Sequence, residues 1–302
     1  MITILGPTAS GKTSLAAYTA FRLNGEVISA DSRQVYRQMD IGTGKDIGDY
    51  IVENQNIPVH LLDIADAGTE FNVYKYLCQF EKVYNDIVTR NVLPVFCGGT
   101  GLYLEAVLGG YNMVDVPVNQ ELRNELDSLS MPELVDRLKS YGPVHATTDI
   151  VDRNRVYRAL EVAAFRLIHA LDAKRNAYPN KLIFGISNNR DVVRSRITSR
   201  LKERLENGMI DEVQHLLDNG VSSTQLKSYG LEYKYLTLYL EGELDYNTMF
   251  QLLNIAIHQF SKRQMTWFRK MERSGFQILW IDGSLSLENK FNEIKKRLNK
   301  TN

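Results

Sequence analysis

Cysteine is nearly absent from this chain, and the two that occur, Cys78 and Cys97, stand far apart with no CxxC spacing. They build neither a disulfide framework nor, without clustered histidines, a tetrahedral zinc site, and they fit a reducing compartment. Long apolar runs are missing as well. No stretch reaches the length needed to cross a bilayer, and Met1–Leu5 runs into a glycine motif with no basic leader, so neither a membrane span nor a targeting segment is expected. Net charge is absent too, with 36 basic residues balancing 36 acidic ones, and there are no repeats or low-complexity tracts.

What remains is an ordinary globular composition: 302 residues, 44% hydrophobic and 24% charged, enough for one large domain or a domain carrying an insertion. The neutral total hides an asymmetry. Residues 1–150 hold 11 Lys/Arg against 19 Asp/Glu, and the rest hold 25 against 17. A polyanion would be drawn to the second half, although scatter over one folded surface accounts for the same counts.

Ile2–Leu5 is a short apolar run, and Lys12–Leu23 has helical spacing, which predicts strand, loop and helix. Further strands are expected at Glu26–Ala30, Val59–Ile64 and Leu93–Cys97, with a helix over Asn72–Thr89. Strands alternating with helices predict a parallel sheet. From about Asn119 the pattern becomes helix upon helix, over Gln120–Leu129, Pro132–Ser140 and Asp152–Leu171, with Pro132 and Asp152 as first-turn or capping residues. Lys181–Ser187 and Phe276–Asp282 return as strands, the first leading into a basic helix over Val192–Glu206. The expected architecture is α/β: a P-loop-like parallel sheet flanked by helices, formed by residues 1–112 and 177–302, with an all-helical insertion over 113–176.

Between the first strand and helix lies Gly6-Pro7-Thr8-Ala9-Ser10-Gly11-Lys12-Thr13, which matches G-x4-G-K-[S/T]. Such a loop captures anions. Its glycines let several backbone N–H groups point at one phosphate, the helix dipole adds to their field, Lys12 supplies a mobile positive charge, and Thr13 can hold Mg²⁺. Nucleotides such as ATP and diphosphate esters both suit it, so the loop alone does not choose a reaction. An ATPase usually carries an Asp at the end of an apolar strand, whereas Leu93-Pro-Val-Phe-Cys97 ends in Gly98-Gly99-Thr100, which disfavours simple ATP hydrolysis. Asp63 is the available substitute, and it fits a turn equally well. At the end of the second strand, Asp31-Ser32 fits a general base beside the cradle and also a routine turn or helix cap.

These segments, taken together, resemble the tRNA dimethylallyltransferases, also called tRNA isopentenyltransferases. The resemblance rests on Gly6–Thr13, on Ser29-Ala-Asp31-Ser-Arg-Gln34-Val-Tyr36 and on Met39-Asp-Ile-Gly-Thr43-Gly-Lys45. It continues in Gly98-Gly-Thr100-Gly-Leu-Tyr103, Arg155-Val-Tyr-Arg158-Ala-Leu-Glu161, Arg196-Ile with Arg200, and Lys262-Arg-Gln264-Met-Thr-Trp267-Phe-Arg269. It implies that the cradle holds dimethylallyl diphosphate with Mg²⁺ and that the adenosine 3′ to the tRNA anticodon is the acceptor. Asp31 would be the general base at the exocyclic N6, Thr100 would line the site, and Arg200 and Lys12 would face the diphosphate. Residues implied to touch tRNA are Asp31, Ser32, Arg33, Gln34, Arg123, Asn154, Arg155, Val156, Tyr157 and Arg158. A monomer working in the cytoplasm, away from membranes, completes the picture.

The residues themselves leave choices open. Arg194, Arg196, Arg200 and Arg204 recur at near-helical spacing and fit a solvated basic face. Arg155 and Arg158 fit salt bridges at a core edge, and Trp267 and Phe268 fit a core. The chain also departs from the family pattern, with Ala163–Ile168 in place of a Thr-Gly-Lys turn, Tyr229-Gly-Leu-Glu232-Tyr where Gly-Tyr-Lys-Glu is usual, and His258 where arginine is typical. Prenyl transfer to free AMP or ADP, a P-loop kinase and a noncatalytic RNA-binding protein are the competing readings.

Overall fold

The computed structural model describes residues 1–111, 113–142, 150, 152–169, 178 and 182–301, with residues 300 and 301 described for backbone only. Two compact units emerge, Met1–Gly109 with Ala177–Asn302, and Gly110–Asn176.

In the larger unit the chain runs through β1 (Ile2–Leu5), α1 (Lys12–Leu23), β2 (Gly25–Ala30), a small hairpin of β3 (Ile51–Val52) and β4 (Gln55–Asn56), then β5 (Val59–His60), α2 (Val73–Thr89), β6 (Leu93–Gly98) and α3 (Gly101–Leu108). The second unit contributes α4 (Gln120–Asp127), α5 (Met131–Ser140) and α6 (Arg153–His169). The first unit resumes with β7 (Leu182–Ser187), α7 (Arg190–Glu206), α8 (Met209–Asp218), α9 (Ser223–Tyr229), α10 (Leu231–Leu240), α11 (Tyr246–Arg273), β8 (Ile278–Asp282) and α12 (Leu287–Thr301).

Six strands form one parallel sheet in the order β5-β2-β6-β1-β7-β8. Strands covered on both faces read as continuous apolar runs, and β1, with all four residues buried, is the clearest case. On one face Ile2, Ile4, Val27 and Val95 pack with Leu15 and Ala16 of α1 and with Phe291 and Ile294 of α12. Toward α2 and α3, Tyr76 stacks on Tyr103 at 3.9 Å between centroids and donates its hydroxyl proton to the Ser29 carbonyl at 2.7 Å. A separate core joins Val35, Tyr36 and Met39 to the inward faces of α7–α11. Among the described residues no helix is long and apolar enough to cross a membrane.

The strand expected over Val59–Ile64 stops at His60. Leu61 and Asp63 adopt left-handed backbone, with φ of 65° and 53°, and only a bridge from Tyr36 to Ala65 continues the parallel pairing. Asp63 is correspondingly no metal ligand waiting at a strand end; its carboxylate pairs with buried Lys45, which also binds Asp40 at 2.6 Å. The last strand starts at Ile278 rather than Phe276. In the helical unit, Asp152 caps α6 by accepting from the Arg155 N–H at 3.0 Å, and Pro132 lies in the first turn of α5. Lys181 and Leu171, placed in elements by the periodicity, lie outside the described residues.

Candidate active site

Parallel pairing brings three strand ends level. Leu5 of β1 faces Gly98 of β6, and Gly98 faces Ala30 of β2, so the next residues, Gly6, Gly99 and Asp31, leave the sheet along one edge. Ligands of open α/β sheets bind at this carboxyl edge. The glycine loop there is curled into an anion nest, with Ala9 and Gly11 at φ 59° and 82°. A non-glycine residue in this region costs about 1–3 kcal/mol and persists only where the surroundings impose it, and Ala9 is buried. The first turn of α1 has no acidic residue and no side-chain cap, so its N–H groups and its positive dipole end are left for a ligand.

Gln264 of α11 fastens this loop to the next one. Its buried side chain accepts from the Thr8 N–H at 2.8 Å and donates to the Gly99 carbonyl at 3.0 Å. Periodicity gave no hint of this, since a glutamine within a basic helix reads as a surface residue; a motif position was the only signal.

Lys12 is partly buried and reaches back to the Pro7 carbonyl at 3.4 Å. Burial, aided by nearby Arg200, presses its pKa below the ordinary lysine value, while Cys97, Asp31 and Asp49 pull it up. The Cys97 thiol is itself pushed up to about 12 by burial, so at neutral pH it carries no charge and the two carboxylates are the real counter-ions. Asp31 therefore lies within electrostatic reach of Lys12. One of its oxygens accepts from the backbone N–H of Arg33 at 2.9 Å and Gln34 at 3.4 Å, which makes it a turn cap and, among the described residues, leaves the other oxygen without a hydrogen bond. Base and cap are thus compatible roles. Thr100 braces this corner by accepting from the Ser32 N–H at 3.0 Å. Gln34 spends its amide on the carbonyls of Gly44 at 3.1 Å and Thr43 at 3.5 Å, fixing the loop after α1's neighbour strand β2.

The four arginines singled out by spacing, among the five of α7, divide. Arg194 and Arg196 are exposed, whereas Arg200 and Arg204 turn inward and, with Thr8 and Glu232, line a cavity of about 20 Å³, room for about one water. A wider hollow of about 490 Å³ lies along Asn289, Asn292 and Lys296 of α12 and reaches Leu285 after the edge strand β8, but no residue of the nest lines it. The small cavity beside the nest is the chemically relevant one. Asp49, also missed in the sequence, accepts from the Ser14 hydroxyl at 2.9 Å next to Thr13.

In the helical unit, buried Glu161 receives Arg123 at 2.7 Å, Arg158 at 3.0 Å and the Asn119 N–H at 3.1 Å. Burial works to raise its pKa, and the hydrogen bonds from Arg123 and Arg158 outweigh it, leaving the carboxyl below its ordinary value. Val156 and Tyr157 are buried in that unit's core with Leu126 and Leu134. Both were expected to touch RNA; on α6 their side chains pack into the unit's own core, as its apolar positions require. Asn154 and Arg155 are exposed, and Arg158 is half-exposed. Trp267 is partly buried, with Lys270 over its ring at 4.9 Å, and Phe268 is fully buried, as their composition suggested.

A parallel sheet with a glycine nest after its first strand and a carboxylate level with it defines a P-loop protein, whose strand-end edge suits a phosphorylated ligand. The chain belongs to the IPP transferase family, whose model matches residues 34–271. It is 51% identical over 298 residues to tRNA dimethylallyltransferase 2 of Bacteroides fragilis, covering 99% of this chain and 97% of that one. To tRNA dimethylallyltransferase 1 of Geotalea uraniireducens it is 52% identical over 288 residues, covering 94% and 92%. The full-length tRNA isopentenylpyrophosphate transferase of Bacillus halodurans superposes with a TM-score of 0.72 at 33% identity, over 99% of this chain and 95% of that one. A eukaryotic dimethylallyltransferase acting on tRNA shares the fold, with a TM-score of 0.76 at 21% identity over 99% and 77%.

Proposed function

We propose that this enzyme transfers the dimethylallyl group of dimethylallyl diphosphate to N6 of the adenosine 3′-adjacent to the anticodon of tRNA. A bond forms between N6 and the allylic carbon as the bond from that carbon to the diphosphate oxygen breaks, and diphosphate is released. The observation that carries this reading is the level placement of Asp31 and the Gly6–Thr13 nest across β6, with Asp31 in electrostatic reach of Lys12.

An aryl amine is a weak nucleophile because its lone pair is delocalised into the ring, so a carboxylate that takes its proton as the new bond forms lowers the barrier. Asp31 has one oxygen committed to backbone N–H groups, which hold the carboxyl in place, and the other suits the N6 proton. Thr100 keeps the Asp31–Ser32 corner from moving. Charge accumulates on the departing diphosphate, and the nest N–H groups, Lys12 and Arg200 stabilise it more in the transition state than before it.

Mg²⁺ suits the same place. Among the described residues the Thr13 hydroxyl makes no hydrogen bond, Asp49 accepts from the hydroxyl of the next residue, Ser14, and no cluster of three or more His, Cys, Asp or Glu residues occurs. That donor set fits an ion held mainly by phosphate oxygens and water. When bound, it would neutralise part of the leaving-group charge.

The acceptor must be lifted out of its stack, at a cost of a few kcal/mol that contacts elsewhere on the RNA offset. Ser32, Arg33 and Gln34 beside Asp31, and Arg123, Asn154, Arg155 and Arg158 on the helical unit, are the residues assigned to that grip. We assign the work to a cytoplasmic monomer. Incubated with labelled dimethylallyl diphosphate, Mg²⁺ and total tRNA, the purified protein should label RNA at adenosine; label appearing only on added AMP would refute the tRNA assignment.

A further inference from the structure

Arg200 and Arg204 sit four residues apart on the inward face of α7, where like charges repel. Neither side chain makes a hydrogen bond or an ion pair with the described residues, although both line the cavity at Thr8. Arg204 is held close against the bare backbone of Gly44: a Cβ built there would lie 1.8 Å from its Nη2. Glu232, on the first turn of α10, lines the same cavity and is the acid that acts most strongly on Arg204. The charges thus run in sequence around the nest, from Lys12 to Arg200, Arg204 and Glu232, and Glu232 in turn feels Arg33 and Asp31. Partly buried guanidinium groups without partners are costly, and two of them lining one cavity with a phosphate loop call for an anion. Among the described residues Glu232 is the one carboxylate lining the cavity with the pair, and Asp46 also acts on Arg204.

We propose that Arg204 is a second arginine of the diphosphate subsite, and that Glu232 is its counter-charge, holding the pair together until the anion arrives. This rests on the diphosphate reading above. Diphosphate then takes over the role of Glu232 toward both guanidinium groups, which donate to its oxygens in a fork geometry that lysine does not reproduce. Burial raises the Glu232 pKa above the ordinary carboxyl value, and Arg204 and Arg33 oppose the rise, as expected for an acid set among cations in a narrow space.

The test is calorimetric titration of inorganic diphosphate with Mg²⁺ into the full chain and into Lys12→Ala, Arg204→Met, Glu232→Gln and the Arg204→Met/Glu232→Gln pair. Lys12→Ala should abolish or severely weaken binding. Arg204→Met should weaken it about 10- to 100-fold, the effect of losing a hydrogen bond to a charged group. It should raise KM for dimethylallyl diphosphate while leaving KM for tRNA within twofold. Glu232→Gln should tighten binding about threefold or more, because a negative charge near the anion is gone, and a loss of fold alone would never tighten it. The double variant removes the unpaired acid left by the single change, so it keeps the comparison valid if Arg204→Met folds poorly; it should also bind more weakly than the wild type. Diphosphate affinity within twofold of wild type in both Arg204 variants, with Lys12→Ala defective, overturns the role of Arg204. Weaker binding by Glu232→Gln overturns the counter-charge role. No binding by the wild type would instead sink the diphosphate reading itself.

Discussion

Gln264→Leu tests how far the nest depends on α11. Leucine matches the volume, yet removes the acceptor for the Thr8 N–H and the donor for the Gly99 carbonyl, which stand 2.8 and 3.0 Å from the glutamine amide. Both groups lie where water has little access, since Gln264 is only 7% exposed. Leaving a buried backbone group unsatisfied costs about 1–3 kcal/mol, so the pair together should cost about 2–6 kcal/mol. With a urea slope of about 3 kcal/mol per molar, the unfolding midpoint should fall by about 1–2 M. Part of the strain can be relieved by movement of Thr8, and displacement of a positioning loop by about 1 Å costs on the order of 100-fold in turnover. Gln264→Glu separates the two bonds: an ionised carboxylate still accepts from Thr8 but repels the Gly99 carbonyl. Urea unfolding and initial rates with saturating substrates are the assays. A Gln264→Leu protein with an unchanged midpoint and unchanged turnover would refute the clamp.

Asp31→Ala should retain diphosphate binding and lose about 10²- to 10⁴-fold in turnover, the usual effect of removing a general base; unchanged turnover excludes Asp31 from the reaction. Glu26 gives an acid-stability prediction. Arg90 at 2.6 and 2.8 Å holds its carboxyl at about 2 against burial, with help from His60 at 2.7 Å. Because the folded pKa lies below the unfolded one, this contribution is complete above the ordinary carboxyl value of 4.5 and is lost as pH falls toward 2. Glu26→Gln should therefore flatten the fall in unfolding free energy between these pH values, measured by urea titration, and an equally steep fall would rule out Glu26 as a source of it.

Much of this molecule was legible in its sequence because local rules suffice for it. The nest needs adjacent glycines, a lysine and a following helix, all within eight residues, and apolar strands alternating with amphipathic helices specify a parallel sheet. Strand ends were less legible: Val59–Ile64 has the apolar pattern of a strand, but Leu61 and Asp63 take left-handed backbone where Asp63 pairs with Lys45, a partner no local pattern encodes. The inward rotation of Arg200 and Arg204, away from exposed Arg194 and Arg196, was also undetermined, since spacing near the helical period places arginines on one face without saying what that face meets.

By itself, then, the chain's order of residues determined an anion-binding loop, an α/β sheet and the family. Only the tertiary structure decided which side chains serve it. Strand pairing placed Asp31 level with the nest, packing drew Gln264 from 256 residues away onto Thr8, and core filling withdrew Val156 from solvent. These are long-range outcomes, set by which surfaces must be buried together, and a local pattern carries no information about its distant partner.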